Sequence, residues 1–118
     1  MKPEDYCSEE LTKLLLEKGC PLEKVRRQDG RPVYFTLPTD HPRWPDCDVY
    51  YIPTHAQVMK WLREKDIDTI IMPLFKLKEG RIYCYEIHSD NTDVRDGRFD
   101  TYEEAVEAAI KYSLENLI

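Results

Sequence analysis

The last eighteen residues constrain this chain more than any other stretch. Thr101-Tyr-Glu-Glu104 is a capping box, in which the threonine oxygen accepts the Glu104 N–H and the Glu104 side chain reaches back to the cap. Beyond it Tyr102, Val106, Ala109, Ile110, Ser113 and Leu117 recur at helical spacing, with Glu103, Glu104, Glu107, Lys111 and Glu115 on the opposite side. The pattern predicts a helix over 102–117 with one apolar face. Such a face needs a surface to cover, so the remaining question is what that surface is.

Two more helices are marked by their ends. Ser8 is an N-cap for a helix over 8–18, Glu9 and Glu10 suit its positive end, and Gly19 followed by Pro21 stops it. Thr54-His-Ala-Gln57 is a second capping box, opening a helix over 55–65 with Val58, Met59 and Leu62 in one stripe and Trp61 at its edge. Between these helices lie β-branched and aromatic runs. Strands are expected at 32–37, 48–52, 69–78 and 81–88, the last two joined by Lys78-Glu79-Gly80 as an antiparallel hairpin. Pro73 inside a strand implies an edge position or a bulge, because proline donates nothing to a ladder. The segment 38–47 carries Pro38, Pro42 and Pro45 and reads as a long irregular loop, and 89–100 reads as a polar loop. The order is α-β-β-α-β-β-α: a single α+β domain over 1–118, its helices packed on an antiparallel sheet.

Composition agrees with a globule and narrows its partners. The chain has 118 residues, 42% hydrophobic and 34% charged, enough for one ordinary core and incompatible with a disordered tail protein. Its net charge is −6, which argues against a surface devoted wholly to nucleic acid. The excess is local: residues 1–85 carry 14 acidic and 14 basic side chains, residues 86–118 carry 9 and 3. The N-terminus lacks a signal-peptide apolar core, and Ile70-Ile-Met-Pro-Leu-Phe75 is far shorter than the roughly 18 residues of a membrane span, so a cytoplasmic location and no membrane partner are expected. Cys7, Cys20, Cys47 and Cys84 contain no C-x-x-C pair and read as reduced thiols.

Three blocks carry a resemblance. Residues 6–19 (Tyr6 to Gly19), 53–65 (Pro53 to Lys65) and 101–118 (Thr101 to Ile118) are similar, in order and position, to blocks of a family of small uncharacterised proteins from gut Bacteroides and their phages and prophages. The blocks cover somewhat under half of the chain. The resemblance implies a cytoplasmic setting connected with phages or mobile elements. It implies no catalytic residue.

Several chemical readings fall away on spacing. Cys84, Glu86 and His88 share one face of a strand, but four residues span about 13 Å, too far for one ion, and Cys84 reads as a packed thiol. His41, Asp46, Cys47 and Asp48 are only a loose cluster, and the acids at 90, 93 and 96 do not match a calcium loop. Gly19, Gly30, Gly80 and Gly97 stand alone, so no phosphate-cradling loop and no nucleotide cofactor are expected. His55 heads a helix, and Cys7 precedes one, without a triad pattern around either. No catalytic, cofactor or metal residue is assigned.

Binding surfaces remain. Trp44, between Pro42 and Pro45, either folds back on the core or anchors a partner, and Tyr50, Tyr83 and Tyr85 fall on strands where they suit an interface or a half-exposed sheet. These four residues are the candidates for a protein partner. The alternative is nucleic acid on the 55–65 helix and the 69–88 hairpin, with Lys60, Arg63, Lys78 and Arg81 on phosphates and the strand tyrosines stacking bases. Glu64, Asp66, Asp68 and Glu79 dilute that basic patch. The leading expectation is a non-enzymatic protein-binding protein without cofactors.

Overall fold

The structure, a computed structural model, describes residues 5–22, 24–25, 33–35, 49–76, 80–90 and 92–118. The chain divides into two compact units, Met1–Thr54 and His55–Ile118, each with its own three-stranded sheet.

In the first unit, helix α1 spans Glu9–Glu17, and Ser8 Oγ accepts the Leu11 N–H at 3.1 Å, as an N-cap should. Its other end is a Schellman turn. Gly19 sits at φ 85°, and the N–H groups of Gly19 and Cys20 donate to the carbonyls of Leu16 and Leu15 at 3.2 and 3.0 Å. Leu15 and Cys20, both buried, make the apolar pair that accompanies this turn. Strands β1 (Lys24–Val25), β2 (Val33–Phe35) and β3 (Val49–Tyr51) form a sheet in the order β1-β3-β2. The Cys7 N–H donates to the Pro53 carbonyl at 3.0 Å, so the two ends of the described unit meet.

The second unit starts with helix α2, His55–Glu64. Strands β4 (Asp68–Lys76), β5 (Gly80–Ser89) and β6 (Thr92–Phe99) follow as an antiparallel meander in that order, and helix α3 spans Tyr102–Asn116. Glu104 N–H reaches Thr101 Oγ1 at 3.1 Å, the cap expected from the box. The covered face of α3 is Ala105, Val106, Ala109, Ile110, Ser113 and Leu114, all 0% exposed. Each fully buried Val, Ile or Leu there contributes about 1.5–3 kcal/mol. The face is turned slightly from the one the spacing suggested: Tyr102 is exposed and Leu114 replaces Leu117 at the bottom. Ser113 satisfies its buried hydroxyl by donating to the Ala109 carbonyl at 3.0 Å.

The α+β class and the helices on an antiparallel sheet stand as read from sequence. Three details differ. The described strands number six, because β1 and β6 join the four expected. β2 and β3 pair in parallel, with Tyr34 opposite Tyr50, whereas β1 and β3 are antiparallel. The expected 89–100 loop is mostly β6, an edge strand of the meander. Among the described residues no helix is long and apolar enough to cross a membrane.

Candidate functional site

The register of the second sheet sorts its side chains onto two faces. Tyr83, Tyr85 and Ile87 of β5 point toward α3: Tyr85 lies 6.4 Å from the Tyr112 ring, and Tyr83 meets Tyr102 edge-on at 6.1 Å. The opposite face carries Asp68, Ile70, Met72 and Leu74 of β4 beside His88, Glu86, Cys84 and Ile82 of β5, each pair directly across the ladder. Asp93 and Arg95 of β6 extend that face beyond His88 and Glu86.

Ile70 is the conspicuous residue of this outer face. It is 45% exposed, one of three exposed large hydrophobics among the described residues. Met72 and Leu74 on the same strand are half-buried, while Ile82 and Cys84 behind them are buried. Among the described residues no strand pairs with the far side of β4, which is an edge of the described sheet. From Thr69 to Phe75 that edge bears no charge, and it holds Pro73, for which the sequence implied an edge position or a bulge. The other edge is guarded. β6 exposes Asp93, Arg95, Asp96 and Arg98, and a register shift between Tyr83 and Tyr85 places Gly97, at φ 107°, in a bulge.

At one end of the outer face His88 is ringed by carboxylates. Its Nδ1 lies 2.6 Å from Asp93 Oδ1, its Nε2 lies 4.0 Å from Glu86 Oε1, and Asp68 is its ladder partner. The Asp93 hydrogen bond, opposed by desolvation and aided by the negative charges of Asp93, Glu86 and Asp68, holds the imidazole above its ordinary value. On the inner side, burial first and the adjacent Asp96 second push the Tyr85 phenol up. In the shelter of the helices His55, buried at the start of α2, places Nε2 2.8 Å from Glu107 Oε2 on α3. Spacing gave no hint of this pair.

The candidate residues are dispersed. Tyr85 is 3% exposed and its ring stacks on Phe99 at 6.1 Å, so its face is occupied from within the fold. β6, read from sequence as loop, supplies the ring that covers it. Tyr83 is half-buried beside Tyr102. Lys60 and Arg63 are exposed on α2, where Lys65 stands 5.0 Å over the Trp61 ring, and Arg81 is exposed on β5. Glu64 and Asp66 are exposed among them. Tyr50 lies on β3 between Lys24 and Tyr34. Trp44 and Lys78 lie outside the described residues. A residue that the sequence reading did not single out is Ile70, which stands there in a run of apolar neighbours.

No family model, no curated protein and no solved structure matches this chain.

Proposed function

We propose that this protein works by binding another protein, without catalysing a reaction, and that the outer edge of β4 is its contact surface. Ile70 carries the reading: a large aliphatic side chain 45% exposed near the start of β4, within the uncharged run from Thr69 to Phe75. An edge of this kind offers a row of backbone donors and acceptors, with apolar side chains alternating beside it, which is the requirement for capturing an extended segment as an added strand. Met72 and Leu74 continue the apolar row on the same face. The resemblance of blocks 6–19, 53–65 and 101–118 supports a phage or mobile-element setting in a bacterial cytoplasm.

The test is quantitative capture from a Bacteroides lysate, comparing the intact chain with Ile70→Lys and with Trp44→Ala. The reading expects a specific protein to be retained by the intact chain and lost with Ile70→Lys. Retention of the same proteins by Ile70→Lys would overturn the assignment to β4. Loss with Trp44→Ala alone would move the contact to the proline-rich segment.

A further inference from the structure

We infer that the segment captured by the β4 edge is β4 of a second copy of this chain, giving a two-fold dimer with a continuous six-stranded sheet. The inference rests on the reading of β4 as a contact edge and names its partner.

The strand is complementary to itself when reversed. It reads Asp68-Thr-Ile-Ile-Met-Pro-Leu-Phe-Lys76, with one acid at its start, one base at its end and nothing charged between. Antiparallel pairing about Met72 sets Asp68 of each copy opposite Lys76 of the other. It also sets Ile70 opposite Leu74 on the outer face, so the exposed aliphatic group gains an apolar neighbour. Opposite charges and aliphatic pairs directly across a ladder are both favourable, and a two-fold axis supplies each of them twice. A register slip of two residues separates the charges and breaks both ion pairs at once.

The two edges of the sheet differ, and that difference limits the assembly to two chains. β6 presents alternating charges and a bulge, both of which discourage strand addition. With one adhesive edge per copy the interaction is isologous and closes on itself; with two, it would propagate. Pairing about Met72 sets Pro73 of each copy opposite Ile71 of the other, and because a proline nitrogen donates nothing, the ladder forgoes a donor there in each copy.

Charge exchange at the strand ends provides a test that leaves the buried core intact. Asp68 is exposed, and Lys76 is the last residue of β4. Sedimentation equilibrium of the full chain should show a monomer–dimer equilibrium. Asp68→Lys alone, or Lys76→Asp alone, opposes like charges twice per dimer and should weaken the dissociation constant about tenfold. An equimolar mixture of the two single variants restores both opposite-charge pairs and should dimerise as tightly as the original chain, as should the double variant. Circular dichroism of each variant confirms that it is folded. A chain that stays monomeric up to millimolar concentration overturns the inference, as does dimerisation unaffected by either single variant. If the chain is monomeric yet Ile70→Lys still abolishes capture of another protein, the second-copy inference fails while the contact edge stands. If neither self-association nor capture depends on β4, both fail.

Discussion

The imidazole of His55 and the carboxylate of Glu107 meet at 2.8 Å and join the first turn of α2 to the middle of α3. The pair is well sheltered, with His55 only 9% exposed at its side chain and Glu107 28%. Removing the acceptor leaves a buried ring nitrogen short of that partner, at a cost of about 1–3 kcal/mol. Glu107→Ala should therefore lower the thermal midpoint by several degrees. Glu107→Gln keeps an oxygen in place and should lose less. An unchanged midpoint in Glu107→Ala would show that the contact contributes nothing to stability.

Among the described glycines, Gly97 is expected to be the least replaceable. Its φ of 107° disfavours any side chain, and a Cβ built there would overlap the Phe99 ring. Gly97→Ala must move that ring off Tyr85 or flatten the bulge, so we expect a loss of at least about 2 kcal/mol in urea unfolding. Gly19→Ala meets no neighbouring atom and carries the backbone cost alone, so it should lose less. Equal losses at the two positions would show that the ring is not held by the glycine.

Asp66 offers a change in the opposite direction. It holds φ 61° just after α2, and Ile67 and Asp66 donate to the carbonyls of Leu62 and Arg63 at 3.0 Å each. This is the same Schellman turn that α1 closes with Gly19, built here on a residue with a Cβ. Asp66→Gly should stabilise the protein by up to about 1 kcal/mol, read from the denaturation midpoint. Destabilisation would mean that the carboxylate itself supports the turn.

His88 should titrate late. Its value is raised in the folded chain, so the stabilisation from its carboxylate neighbours is complete below the unfolded value of about 6.5 and disappears as pH rises through the raised folded value. Proton NMR of the ring should place its midpoint above that of a free histidine. Asp93→Asn should bring the midpoint down, since the Asp93 hydrogen bond is the largest cause of the rise, with Glu86 and Asp68 supplying the remainder. A midpoint indifferent to Asp93→Asn would sink the assignment.

The helices were legible because their signals are local. Ser8 and Thr101 cap within three residues of themselves, and nothing distant is needed to read them. β6 was not legible, and the bulge explains why. Thr92 and Val94 alternate inward, then the phase breaks at Gly97 and Phe99 takes the inward place. A period-two pattern interrupted after three residues and full of charge looks like a loop. The burial of Tyr85 was hidden with it, because Phe99 of that strand stacks on its ring. His55 and Glu107, 52 positions apart, form a pair that only the packing of α2 and α3 creates. Pro73, by contrast, implied an edge or a bulge from its own chemistry, and among the described residues β4 is an edge of its sheet.

The bulge in β6 also decides what kinds of genetic change this segment can absorb. At this length the bulge sets Phe99 across from Tyr83; an unbulged ladder continuing from Tyr85 and Asp96 would set Arg98 there and drive its guanidinium toward the helices. Point changes at the outward charges Arg95 and Arg98 should be accepted freely. Loss of a single codon between Asp96 and Phe99 straightens the ladder and leaves Phe99 across from Tyr83, whereas gain of one must widen the bulge or turn Phe99 outward. This stretch should therefore accept a shortening at the bulge better than a lengthening.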